Sequence, residues 1–401
     1  MTAIAPAEDK ITAALPSPRL VVSALGIAQI LAWGSSYYLP AVLAAPIAAE
    51  TGWPLAWVIG GLSLGLLVAG LISPAVGRRI HAQGGRVVLA ASAVLLGVGL
   101  GTLAIAPNLP VYLGGWLIVG LGMGCGLYDA AFSTLGQIYG EGARRAITAL
   151  TLFGGFASTA CWPLSALLVS QLGWRGACAT YALIHLVIVL PLYLVSLRGE
   201  RRHAAAPAPT ESRTANGTGH LLPFALLGAA ITFSALISTI LSVHLLTILQ
   251  ARDIALAAAV ALGALVGPAQ VGARFIEMMI ARHHHPIWTM LASALFMTIG
   301  IGALWAGLPI LSAALVFYGA GIGLESIARA TVPLVLFDPR NYAPIMGKLA
   351  FPSLIAQAAA PSIGTLLMLH LGPGGTLATL TVLAAIKLAL AGALFACVRT
   401  R

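Results

Sequence analysis

Four charged residues stand deep inside long apolar stretches of this 401-residue sequence: Asp129, Glu325, Arg329 and Lys387. At the centre of a membrane helix each costs about 2.5–3.5 kcal/mol on insertion scales, so each requires a partner, a water-filled cavity or a task. Glu325 and Arg329 are four residues apart with the acid first, the order in which two such side chains can neutralise each other on a helix. The alternative is a position facing a central cavity, where Arg329 offers a planar, permanently charged fork to an anion or to Asp129. Asp129 has no basic neighbour in its own segment. A desolvated carboxylate readily carries a proton, whereas one facing an arginine stays ionised, so Asp129 is either a proton-coupling group or one half of a static salt bridge. Lys387 has no partner assignable from sequence and either snorkels or sits at a helix seam.

Other polar and aromatic residues suggest a pocket. Gln29, Trp33 and Tyr37 recur every four residues, with Tyr38 beside them, and share a helix face that either lines a cavity or packs as a stripe. His185 and His244 stand alone in apolar segments, where hydrogen-bonded packing is the ordinary role; His244 is kept with the aromatic set as cavity-lining. The run His283-His284-His285 lacks ligand spacing and reads as a solvated loop, so no metal is expected. No GxxxxGK[ST], HExxH or GxSxG pattern occurs. No cofactor and no enzymatic activity are expected, and work across a membrane would draw on a gradient.

The elements that position these residues follow from composition. The chain is 59% hydrophobic and 8% charged, with a mean hydropathy of +0.97. A soluble domain carries about 25% charge, so a soluble globule of this composition is excluded, as are disordered and disulfide-stapled classes. The four cysteines lie in apolar stretches and read as small packing residues. About twelve segments are long enough to span a bilayer, near 20–43, 55–77, 87–106, 111–138, 146–171, 175–197, 221–249, 254–276, 287–306, 309–336, 348–370 and 374–397. Seventeen lysines and arginines fall on one set of alternating loops and two, Arg175 and Arg252, on the other. That asymmetry places both termini in the cytoplasm and accounts for the net charge of +10, with no nucleic-acid partner.

The expected division is a cytoplasmic tail 1–19 without signal-peptide character, a helical bundle 20–197, a polar linker 198–220, a second bundle 221–397 and a tail 398–401. The halves repeat. Gly122-Met-Gly-Cys-Gly-Leu127 returns as Gly319-Ala-Gly-Ile-Gly-Leu324, Pro74 as Pro268 and Pro163 as Pro361, all at nearly one offset. The fold class expected is therefore an all-α integral membrane protein of twelve helices in two pseudo-symmetric six-helix bundles. The interface between such repeats can hold a site near the bilayer midplane.

The segment Leu71-Ile-Ser-Pro-Ala-Val-Gly-Arg-Arg-Ile-His-Ala-Gln-Gly-Gly-Arg86 resembles the loop between the second and third spans of the major facilitator superfamily, roughly G-R-x-x-D-x-x-G-x-R. The resemblance implies a cytoplasmic gate motif at Gly77, Arg78, Gly84 and Arg86, with His81 in place of the motif acid, and a counterpart in the second half at Arg274 and Glu277. Gly52-Trp53, Ser73-Pro-Ala-Val-Gly-Arg78 and Gly173-Trp-Arg175 are similar to the monocarboxylate and oxalate/formate antiporter group. That group implies small organic anions moved by alternating access with protons or a counter-solute. Spans 1, 4, 7 and 10 would line the cavity, with Asp129, Glu325 and Arg329 binding and coupling. The expected setting is a monomer in a bacterial inner membrane, in contact with lipid, a small-molecule substrate and protons. Efflux of drugs or toxic oxyanions, and a transporter-derived sensor, are the alternative readings.

Overall fold

A computed structural model of the chain describes residues 17–198 and 218–399. Residues 1–16 of the expected tail 1–19, most of the linker and the last two residues lie outside the described residues. The helices run α1 (Pro18–Gly34), α2 (Pro40–Thr51), α3 (Leu55–Gln83), α4 (Gly85–Ala104), α5 (Leu109–Gly126), α6 (Tyr128–Tyr139), α7 (Ala143–Gly155), α8 (Ala157–Ile184), α9 (Leu190–Ser196), α10 (Thr218–Gln250), α11 (Leu256–Ala264), α12 (Val266–Ile280), α13 (Pro286–Trp305), α14 (Leu311–Leu336) and α15 (Tyr342–Arg399). Local chemistry sets several starts: Ser17, Asn108 and His285 accept hydrogen bonds from the first helical N–H groups, and each is followed within two residues by proline.

Among the described residues, nine helical segments are long and apolar enough to cross a bilayer, and two of them double back. Gly173, at φ 69°, interrupts α8, and the Ser165 hydroxyl lies 2.8 Å from the Tyr181 hydroxyl. Sixteen residues of straight helix would hold those side chains about 24 Å apart. Gly372, at φ 67°, does the same in α15, where Leu349 shares a core with Ala391 and Leu394. A side chain at either glycine would be strained at that φ. Counting both arms of each hairpin gives eleven apolar arms among the described residues, beside the shorter apolar α1.

The repeated glycines are seams between helices. On α5, Gly120 and Gly124 pack against α3 while Gly122 and Gly126 pack against α4; on α14 in the second half, Gly319 and Gly323 pack against α12 and Gly321 against α13. In the first and second halves alike, two glycine edges of one helix let two neighbours approach at once.

The core arrangement defines which face is closed. Ile47, Leu66 and Trp116 belong to a core of the first half, and Ile240, Leu304 and Leu315 to a core of the second. Near the helix ends that carry Arg78, Arg79 and Arg145 and the turn that carries Arg340, one core is shared by both halves: Val76, Phe132 and Leu150 pack with Leu334, Tyr342 and Met346. The Ser73 hydroxyl donates to the Gly347 carbonyl at 2.9 Å across the α3–α15 seam. The halves are thus closed on each other at the basic-loop face.

Candidate functional site

The chemistry concentrates between the halves, beginning at a helix break. Leu127 takes an extended conformation and separates α5 from α6. Gln29 Nε2 donates to the Gly126 carbonyl freed by that break at 2.6 Å, and Gln29 Oε1 accepts from Trp33 Nε1 at 3.1 Å. The expectation that Gln29 lines a cavity is corrected: it is fully buried, because an orphan carbonyl in a low-dielectric interior needs a donor. Trp33, Tyr37 and Tyr38 are half-buried and pack edge-on, with Trp33 also 5.0 Å from Tyr128. His244 packs against Gly364 within the second half. His185, on a single π-helical turn, bonds Ser35 at 2.7 Å as a packing residue.

The same break places Asp129 in the first turn of α6, where the helix N-terminus favours a carboxylate. Arg329 Nη2, from α14 in the other half, donates to Asp129 Oδ1 at 2.6 Å, and both side chains are more than four-fifths buried. Arg329 does not pair with Glu325. Glu325 Oε2 instead meets Lys387 Nζ at 2.8 Å, and the fully buried ammonium also reaches Ser234, Ser293 and Met297, each at 3.1 Å. Lys387 therefore neither snorkels nor stands alone. The single expected cluster of Asp129, Glu325 and Arg329 is two separate pairs, one between the halves and one inside the second half.

Arg274 is also placed differently from the motif-based expectation. It is 5% exposed; Nη1 donates to the Thr151 carbonyl of the first half at 3.0 Å, Nη2 to Gln270 at 3.3 Å and Nε to the Gly323 carbonyl at 3.4 Å. Gly323 stands midway along the 26-residue α14, so the guanidinium lies at mid-depth and not at the loop face. Tyr38 and Tyr128 are within its electrostatic reach. Among the described residues no carboxylate lies within 4 Å of it. The sequence assigned this arginine to the gate because motif position ranks residues along a helix and not by the neighbour each one faces.

Glu277 does sit at the loop face, nearly fully buried. It accepts from Thr289 at 2.7 Å and faces Arg144 at 3.5 Å and His284 at 3.4 Å, while Arg144 Nη1 donates to the His284 carbonyl at 2.8 Å. Arg144 comes from the first half, so this cluster ties the halves together. The reading of His283-His284-His285 as a solvated loop is corrected for two members: His284 joins the Glu277 cluster and His285 caps α13. In the first half, Gly77 lies against Ala343 and Gly347, Gly84 takes φ 83° at the end of α3, Arg78 and His81 are exposed and Arg86 is half-buried. No group of three or more metal-ligating side chains forms among the described residues.

The profile of the Major Facilitator Superfamily matches residues 25–284. The chain belongs to the major facilitator superfamily. As a superfamily member it is a multi-pass membrane protein of the secondary-transporter class, not an enzyme class. Solved structures agree on the fold. The human organic anion transporter MFSD10 (TETRAN) aligns with a TM-score of 0.74 at 16% identity, over 94% of this chain and 100% of that one. The superfamily transporter FucP in the outward conformation aligns with a TM-score of 0.71 at 14% identity, over 93% and 98%. The proton:xylose symporter XylE bound to 6-bromo-6-deoxy-D-glucose gives 0.68 at 14% identity, over 93% and 94%. No curated protein sequence matches the chain. One superfamily fold thus serves proteins of different cargo, and the cargo must be argued from the site.

Proposed function

We propose that this superfamily member carries a small organic anion by alternating access, driven by protons or by a counter-solute, and that Arg274 is the cation that receives the anion. The observation that carries the reading is a buried guanidinium at mid-depth, bonded by both halves, with three of its five N–H groups on neutral acceptors and, among the described residues, no carboxylate within 4 Å. An uncompensated buried cation is costly, and a carboxylate or oxyanion that enters beside it supplies the missing charge and bidentate acceptors. Trp33, Tyr37 and Tyr38 offer apolar bodies with polar tips for the rest of the solute. Asp129, held by Arg329 between the halves, is the group proposed to take up the coupling proton when the pair opens. The resemblance of Gly52-Trp53, Ser73–Arg78 and Gly173–Arg175 to the monocarboxylate and oxalate/formate group supports the same cargo class.

The bundles 20–197 and 221–397 are proposed as the two moving bodies. The basic-loop face is proposed to lie in the cytoplasm of a bacterial inner membrane, the chain acting as a monomer. The test is thermal shift of the purified protein against carboxylates, inorganic oxyanions and cationic drugs at two pH values, followed by flux in proteoliposomes. Stabilisation by anions that is lost in Arg274→Gln is expected. Stabilisation by cationic drugs alone overturns the reading in favour of drug efflux, for which the aromatic cluster of Trp33, Tyr37, Tyr38 and Tyr128 is the supporting feature.

A further inference from the structure

The two ion pairs are one helical turn apart on α14, and the turn between them holds two unsatisfied atoms. Glu325 Oε1 and Arg329 Nε are both buried and both without a hydrogen-bond partner. One is an anionic acceptor and the other a cationic donor, and they belong to residues four apart with the acid first, the spacing at which such side chains meet. From the interior of the second half toward the first, the charges alternate as Lys387, Glu325, Arg329, Asp129. Only the outermost contact, Arg329 with Asp129, joins the halves.

We propose that Glu325 is the stand-by counter-ion of Arg329. When the halves part at the basic-loop face, Asp129 leaves with the first half and Arg329 turns to the free oxygen of Glu325, while Lys387 keeps the other oxygen. Without this exchange each opening would strand a guanidinium in a low-dielectric interior, which strongly disfavours the open state. With it, the charge left uncompensated is on Asp129, which becomes neutral by taking one proton from the solution. No bond other than that O–H forms. The charged and polar groups facing these residues are Lys387, Ser234, Ser293 and Met297 around Glu325, and Tyr128 and Tyr342 around the Asp129–Arg329 pair. Among the described residues, α10 and α13 bring no charged side chain into an ion pair with Glu325. The inference rests on the alternating-access part of the proposed function and is independent of the anion.

The exchange makes two variants act in opposite directions, which a merely structural role would not. Lys387→Met removes the competing cation from Glu325, leaving the Ser293 hydroxyl on Oε2 as its remaining partner, and favours the parted state. The double variant Glu325→Gln with Lys387→Met leaves the buried site neutral, removes the alternate partner and favours the closed state. The measurement is a distance distribution between spin labels at Gln83→Cys and Arg282→Cys, exposed positions in different halves on the basic-loop face, in full-length protein with the four native cysteines replaced and held in lipid nanodiscs. Each variant is expected to shift the ratio of short to long distances by about tenfold, the effect of one charge-assisted hydrogen bond. Shifts in the same direction, or an unchanged ratio in both variants, overturn the exchange. Should Lys387→Met fail to fold, the neutral double variant decides alone: an unchanged ratio overturns the proposal. The readout involves no solute, so its failure leaves the anion-binding reading to its own test.

Discussion

Asp129 and Arg329, 200 residues apart in the chain and in different halves, meet at 2.6 Å. The pair is too buried for the near-zero value of a surface salt bridge and too exposed for the full cost of a dry one, so loss of Asp129 should weaken closure of the basic-loop face by about 1–3 kcal/mol. Asp129→Asn is expected to raise labelling of cysteines placed behind that face and to abolish proton-driven accumulation in proteoliposomes. Intact coupled flux in both Asp129→Asn and Arg329→Gln would show that coupling resides elsewhere.

Closure at the α3–α15 seam depends on two glycines. A Cβ at Gly77 would run into the Ala343 carbonyl, and one at Gly347 into the Ser73 carbonyl. Both obstacles are backbone, which cannot swing aside as a flexible side chain can. Gly347→Val should cost the closed state about 1–3 kcal/mol, as overpacking typically does. The signature is a population shift toward separated labels at positions 83 and 282, with the helical content of the protein unchanged.

Gln29 is predicted to act on stability. Gln29→Leu strands the Gly126 carbonyl at the α5–α6 break and the Trp33 indole N–H. The expected loss is about 1–3 kcal/mol, read as a lower melting temperature in detergent. If the variant melts like the parent, the break is stabilised by something other than this bond.

His285 gives a pH dependence outside the spans. Burial, followed by the nearby Arg144 and His284, lowers its pKa from the ordinary 6.5. Its neutral ring accepts from the Ile287 N–H at 3.2 Å, a bond that protonation of Nδ1 destroys. The unfolded chain binds this proton at higher pH than the folded one. The His285 contribution is therefore fully present above about pH 6.5 and is lost as the pH falls through the window between that value and the lowered folded one. His285→Asn, which can still cap, should flatten this part of the stability profile below neutrality; an unaltered acid limb would remove His285 from the account.

The amino-acid sequence by itself determined the membrane class, the duplicated plan and the identity of the charges that need an explanation. Each of these follows from local quantities: apolar length against bilayer thickness, the sign of loop charge, and repeats at one offset. It also pointed to Asp129 and Arg329, because an ionised group in an apolar span is visible wherever it falls. Only the tertiary structure decided who pairs with whom. Spacing allowed Glu325 to neutralise Arg329, yet Glu325 turned to Lys387 and Arg329 to Asp129, since the direction a helix presents to its neighbours is set by packing along the glycine seams. For the same reason Arg274, placed at the gate by motif position, lies at mid-depth on the Thr151 and Gly323 carbonyls, while Arg144 and His284 hold the gate beside Glu277. Periodicity fixes which residues share a face of a helix; the rotation of that face against its neighbouring helices is a property of the packed bundle alone.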